Sequence, residues 1–305
     1  MTNTRPNVGI IMTTYNGQDH LDAQLDSLLE QVDVQLSIYV FDDRSNDGTP
    51  SILDRYAAFN PEQFTVHRNT QNSGGTGLNI FNNLHMVPTE HDFFALADQD
   101  DIWLPTKLSQ AISTLTKDNT DLYFSNLLAW DGQDEILGTV RRSGSIRERD
   151  HLFGGGSAGC TYVLSRAFFA HVKEISAATD IGGVRRISHD WIIYFLARHY
   201  GYGVSASPDA LIKYRIHSES QYGGMSLGGI ATLRRKARML RSGFLREQVE
   251  NTLRFAREGS AERDILLAYQ KGPFHRLAIL TTYNYSLARS KLRFFLLVIA
   301  SLFLY

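Results

Sequence analysis

The stretch "FFALADQDDIWLPTKL", residues 93–108, runs from apolar residues into three carboxylates, Asp98, Asp100 and Asp101, with Gln99 between the first two. Carboxylates this close repel one another, and burial raises their pKa further. A hard divalent cation removes the conflict. Mg2+ or Mn2+ takes one or two carboxylates, keeps some waters and completes its shell with substrate phosphates. The pattern therefore suits a metal that grips a diphosphate. It also suits a solvated acidic first turn on a helix beginning near Pro105. Two further apolar runs end in polar residues: Thr13, Thr14 and Tyr15 follow the first, Asp42 and Asp43 the second. A fourth carboxylate, Asp190 of "SHDW", precedes the apolar run "WIIYFLA". A helix start favours the ionised form of a carboxylate, which suits either a general base or a plain helix cap. Near residue 217 stand two cationic candidates, Arg215 and His217, able to neutralise phosphate charge or, for the histidine, to bind a metal.

These residues need elements that bring them together. Apolar runs at 8–15, 35–41, 64–68 and 91–97 read as strands. They alternate with helical patterns at 17–31, 49–59 and 76–86, the second with Pro50 in its first turn. Strand-like runs recur at 121–128, 160–164 and 211–216, and helices are expected at 165–176 and 189–199. The alternation predicts an α/β fold with a mostly parallel central sheet flanked by helices. Ligands of such sheets bind beyond the carboxyl ends of the strands, where three of these polar clusters lie.

The ordered set "TTYN", "DDRSNDGT", "ADQDDIWLPTKL" and "SHDW" resembles the family 2 glycosyltransferases of the GT-A fold, most closely bacterial rhamnosyltransferase-like members, over about residues 6–220. The resemblance implies a GT-A-like, Rossmann-related domain that binds a nucleotide-diphosphate sugar, with dTDP-L-rhamnose as the candidate donor, and Mg2+ or Mn2+. It implies Thr13, Tyr15 and Asp43 at the nucleobase, Asp98 near the ribose, Asp100 on the metal and His217 beside it. It makes Asp190 the catalytic base. It sets Gly156 and Ser157 of "GGSAG" towards the acceptor, with Arg215, Trp191 and Trp103 in the donor or acceptor vicinity. The acceptor it implies is a glycan hydroxyl in surface polysaccharide assembly, in some cases lipid-linked. Two other readings stay open: a nucleotidyltransferase making sugar nucleotides, and a nucleotide-sugar-binding relative without activity. "TTYNGQDHLDAQL" lacks the basic residues of the first, and intact Asp100 and Asp190 speak against the second.

Other patterns fail on context. "GGSAG" matches a hydrolase nucleophile turn, but "CTYVL" after it reads as a strand where a helix is needed. "DRSNDGTPSILD" follows a strand where a calcium loop needs an entering helix. "NSGGTGLN" lacks the Lys of a phosphate loop and is given no role beyond shaping. The single cysteine, Cys160, excludes an intrachain disulfide and fits a reducing compartment.

The chain has 305 residues and a formal net charge of -1, with 31 Lys+Arg against 32 Asp+Glu. Residues 226–305 hold 14 Lys+Arg and 5 Asp+Glu, so the first 225 hold the remaining 17 and 27. The expected division is a catalytic domain over 1–225 and a basic helical region over 226–305. The final apolar run, 294–305, is too short to span a bilayer as a helix. Basic helices followed by such a run suit an anionic membrane surface, and equally core packing or a homo-oligomer contact. No nucleic-acid motif is present. The expected setting is the cytoplasmic face of a bacterial inner membrane, peripherally attached.

Overall fold

The computed structural model describes residues 5–133, 135–216 and 242–303. In chain order the first elements are β1 (Asn7–Thr14), α1 (Leu21–Leu29), β2 (Gln35–Asp42), α2 (Thr49–Phe59), β3 (Phe64–Arg68), α3 (Thr76–Asn83), β4 (Phe93–Ala97), β5 (Ile102–Trp103) and α4 (Lys107–Asp118). Then follow β6 (Leu122–Trp130), β7 (Ile136–Val140), β8 (Val163–Ser165), α5 (Arg166–Ala178), α6 (His189–His199) and β9 (Val204–Arg215). After residue 241 come α7 (Phe244–Phe255), α8 (Ala261–Gln270), α9 (Pro273–Tyr283) and α10 (Lys291–Phe303).

Among the described residues one sheet runs in the order β3-β2-β1-β4-β8-β6-β9-β5, with β7 paired to β6. Its first half, β3-β2-β1-β4, is parallel. β8 joins β4 antiparallel, and the second half mixes both senses, with β6 and β9 parallel to each other. β1 is buried on both faces because helices cover both, which is why its sequence is apolar without alternation. Parallel register brings strand ends level: Thr14 pairs with Asp42 and Met12 with Ala97. Thr13, Asp43 and Asp98 thus leave the sheet at one edge.

Each expected strand and helix up to residue 216 has its counterpart, but the strand expected over 160–164 is only Val163–Ser165, after a 3-10 turn at Gly159–Thr161. β9 begins at Val204 rather than 211. The polar segment "SASPDA" hides its first half, which pairs with β6 across two register shifts. The C-terminal helices do not stand apart from the sheet. Val249, Phe255, Leu266, Tyr269 and Leu280 share one buried apolar cluster with Phe81, Phe169, Ile192 and Phe195. The expected boundary near 225 lies outside the described residues, as does His217.

Candidate active site

At the carboxyl edge of the parallel strands lies a cleft of about 640 Å3. Its lining includes Thr13, Tyr15, Asp43, Asp98, Asp100 and Asp190, six residues spread over nearly 180 positions of chain. The end of β1 supplies Thr13, the loops after β1, β2 and β4 supply the next four, and the first turn of α6 supplies the last.

Gln99, which sequence reasoning passed over, fixes the β1 loop to the acidic loop. Its side-chain oxygen accepts from the Tyr15 backbone N–H at 2.7 Å, and its Nε2 donates to the Tyr15 carbonyl at 3.0 Å. This two-bond clamp leaves the Tyr15 ring half exposed at the cleft. Asp43 is 3% exposed and organises the glycine-rich loop. Its Oδ1 accepts from Ser73 N at 2.7 Å and Asn69 Nδ2 at 2.9 Å, and its Oδ2 from Ser73 Oγ at 2.7 Å. That loop contributes Asn72, Gly74, Gly75 and Thr76 to the cleft, a larger part than its sequence suggested.

Asp98 is partly exposed at the cleft floor, and Asp101 is buried behind it. Burial first, then the Asp100 carboxylate, push Asp98 up to about 7, and Asp190 adds to the rise. Asp101 is pushed well above the usual carboxylate range, again by burial first and then by Asp100 and Asp98. Its Oδ1 accepts from Arg215 N at 3.3 Å, and its carboxylate faces the buried Cys160 thiol. Asp98, Asp101 and Cys160 bring one ligand atom each within 4.8 Å of one another. The Cys160 thiol is pushed up by burial and by both aspartates, and sulfur is a poor ligand for a hard cation. Crowded carboxylates of raised pKa at a cleft floor are the donor set a hard divalent cation relieves. Asp100, the expected ligand, lines the cleft itself.

Asp190 is held from several sides. Its Oδ1 accepts from the Trp191 backbone N–H at 2.9 Å and from the Ser188 hydroxyl. Its carbonyl accepts from the Tyr162 hydroxyl at 2.9 Å. Ser188 N donates to Gln248 Oε1 at 2.8 Å, so α7 steadies the segment that enters α6. Next to Asp190, His189 also lines the cleft, and burial lowers its pKa against the opposing pull of Asp190. Gly159 makes room for that ring: a Cβ there would fall 2.1 Å from His189 Nε2. Arg186 and Phe244 complete this wall, Arg186 Nε donating to Glu247 at 2.7 Å. Arg186 and Phe244 carried no sequence signal, because their place in this wall depends on α7, while His189 stood within "SHDW" without a role of its own.

Several expected residues stand elsewhere. Trp103 is 1% exposed in the core and carries the Lys107 ammonium 3.5 Å from its ring centroid. Trp191 is buried and donates to the His151 carbonyl at 3.1 Å. Ser157 is buried and donates to the Ser125 carbonyl at 2.8 Å. Gly156 allows close approach of protein rather than sugar: a Cβ would meet the Phe124 ring at 2.8 Å. Arg215 lies under the acidic loop, stacked 4.3 Å over Trp130, with Nε on the Asp100 carbonyl at 2.9 Å and Nη1 on Gly132 at 3.0 Å. None of these five lines the cleft, since core packing or backbone carbonyls occupy their functional groups.

The geometry agrees with what the chain is similar to. The dTDP-rhamnosyl transferase RfbG of Shigella flexneri is 32% identical over 247 residues, which are 78% of this chain and 80% of that protein. A UDP-Glc:alpha-D-GlcNAc-diphosphoundecaprenol beta-1,3-glucosyltransferase of Escherichia coli, WfgD, is 30% identical over 120 residues, 39% of this chain and 45% of WfgD. Among solved structures, the mannosyltransferase PcManGT of Pyrobaculum calidifontis, in complex with GDP-Man and Mn2+, superposes with a TM-score of 0.58 at 18% identity. That superposition covers 98% of this chain and 85% of PcManGT, and shows the GT-A fold. The model of glycosyl transferase family 2 matches residues 9–176. With more than half the chain matched and a relative this similar over most of both lengths, the protein is a family 2 glycosyltransferase.

Proposed function

We propose that this enzyme is an inverting, metal-dependent transferase that moves a hexosyl group, L-rhamnose from its dTDP diphosphate, onto a hydroxyl of a growing, lipid-linked surface glycan. The observation that carries the reading is the meeting of Asp98, Asp100 and Asp190 with Thr13 and Tyr15 in one cleft. The similarity to RfbG supports the donor, and the name of the E. coli relative supports a lipid diphosphate carrier for the acceptor.

Thr13 and Tyr15 hold the nucleobase, the tyrosine ring offering a face for stacking, while Asp43 keeps the glycine-rich loop against it. Asp98 meets the ribose, and Asp100 with Asp98 would hold Mg2+ or Mn2+. When bound, such a cation neutralises charge on the departing diphosphate, which removes the need for a general acid. Asp190 takes the proton of the acceptor hydroxyl as its oxygen attacks the anomeric carbon from the face opposite the leaving group. One bond forms as the other breaks, so the anomeric centre inverts. His189, whose pKa burial lowers, stands next to the base in the chain and lines the same cleft.

The test combines a donor screen with one substitution. Binding of dTDP, UDP and GDP is measured calorimetrically with and without Mn2+, and product anomers are read by NMR. The expected result is cation-dependent binding with preference for dTDP and product of inverted configuration. Asp190→Asn should bind dTDP as the parent does and lose about 100-fold or more in turnover. Unchanged turnover would remove Asp190 from the mechanism, and cation-independent binding would remove the metal.

A further inference from the structure

Six of the eleven large apolar side chains that stand exposed on the described surface lie between residues 267 and 295. They are Leu267, Phe274, Leu277, Tyr285, Leu292 and Phe295, with Phe274 85%, Leu292 64% and Phe295 60% exposed. On α9, Phe274, Leu277, Ala278 and Thr281 follow at helical spacing and are all exposed, which makes one stripe. On α10, Leu292, Phe295 and the half-buried Ile299 make a second. The opposite faces of both helices enter the core through Ile279, Leu280, Leu297 and Ala300. Each helix is therefore amphipathic and anchored, with its outer stripe facing solvent.

Along the segment that carries these stripes the charge has one sign. From residue 265 to the end of the sequence there are five Lys and Arg and not one Asp or Glu. Arg276 and Arg289 are spent on internal carbonyls. Lys271 and Lys291 are exposed at the rims of the two stripes. α10 has 13 residues, about 20 Å of helix, too short to cross a hydrocarbon core of about 30 Å. No described helix is long and apolar enough to span a membrane.

We propose that the outer stripes of α9 and α10, rimmed by Lys271 and Lys291, are a docking face for an anionic phospholipid bilayer, with Phe274, Leu292 and Phe295 inserting at the headgroup boundary. An amphipathic helix with a cationic rim binds such a surface through buried apolar area and through attraction to anionic lipid together. A second copy of the chain on the same face would set Lys271 and Lys291 against like charges, while Asp264, the exposed carboxylate beside Leu267 and Lys271, stands at the edge of the face rather than on either stripe of α9 or α10. This proposal deepens the lipid-linked acceptor reading but takes its evidence from a different part of the molecule.

The test is co-sedimentation of the full chain with phosphatidylcholine vesicles, with and without phosphatidylglycerol, at low and high salt. The expected result is binding that requires phosphatidylglycerol and weakens with salt. The triple variant Phe274→Glu, Leu292→Glu, Phe295→Glu should lose at least about 10-fold in partitioning, and Lys271→Glu with Lys291→Glu a similar factor. Both variants should retain parental dTDP binding, so a failed donor assignment and a failed docking face are told apart. Vesicle binding that survives both variants would overturn the proposal. So would a parent chain that ignores anionic vesicles and forms a dimer in light scattering that Phe274→Glu dissociates.

Discussion

Lys107, the first residue of α4, is 1% exposed, and its ammonium has no hydrogen-bond partner among the described residues. It rests on the Trp103 ring in the layer just behind the acidic loop. Burial pushes its pKa down to about 7, only partly opposed by Cys160. Below pH 7 the lysine is charged in both folded and unfolded chains, and the folded chain bears the full cost of burying that charge. Between about 7 and 10.5 the unfolded chain binds the extra proton, so stability rises with pH across that window. Lys107→Met keeps the shape and removes the charge. It should stabilise the fold at about pH 7 by on the order of a few kcal/mol, with the gain shrinking towards about pH 10. Urea unfolding at both pH values checks this, and a gain that does not change with pH would show that the lysine is already neutralised by a partner. Asp101, just ahead of β5, and Trp103, on it, are both buried, so the tryptophan that the resemblance set near the donor or acceptor is core.

At the scale of elements, the start of α6 is held by parts of the chain far apart in sequence. Arg289, in the turn before α10, donates to the carbonyls of Gly156 and Gly144 and stacks 4.8 Å over Phe124. Gly156 N donates to the Tyr162 hydroxyl at 3.1 Å, and that hydroxyl donates to the Asp190 carbonyl. A cation in the C-terminal region thus fixes the backbone on which the proposed base stands. Arg289 is a positioning residue in this scheme. Arg289→Met should lower kcat by about 10-fold, leave the dTDP dissociation constant within about 2-fold, and recover part of the loss as Arg289→Lys. Equal losses in kcat and in nucleotide affinity, with no rescue by lysine, would point to general loosening instead. No sequence pattern announced this link, because it is made of backbone carbonyls, which every residue carries. β1, β2, β4 and α6 were legible because their apolar runs end in polar residues at the strand or helix end. β5 and β7 were not, being short, and the first half of β9 was hidden by serines and Pro208.

For the molecule as a whole, the sequence divides by charge near residue 225, whereas the apolar core does not divide there. Phe255 of α7 packs 5.5 Å from Phe81 of α3, and Tyr269 of α8 packs 4.7 Å from Phe153 in the loop ahead of β8. Charge is a surface property and says nothing of which interior faces meet, so composition separated two regions that burial joins. Side chains that share one core unfold together when the apolar area between them is large beside the cost of ordering either part alone. All three tryptophans, Trp103, Trp130 and Trp191, belong to the sheet-bearing part, while α7 to α10 contribute only to helical signal. Tryptophan fluorescence and far-UV circular dichroism should therefore give one coincident urea transition. Phe255→Ala should shift both curves together, by about 3–5 kcal/mol. A fluorescence transition that stays in place while the dichroism signal splits would mean that the C-terminal helices fold as their own unit, and that Phe244 and the Gln248 contact to Ser188 can leave the cleft wall without unfolding the sheet.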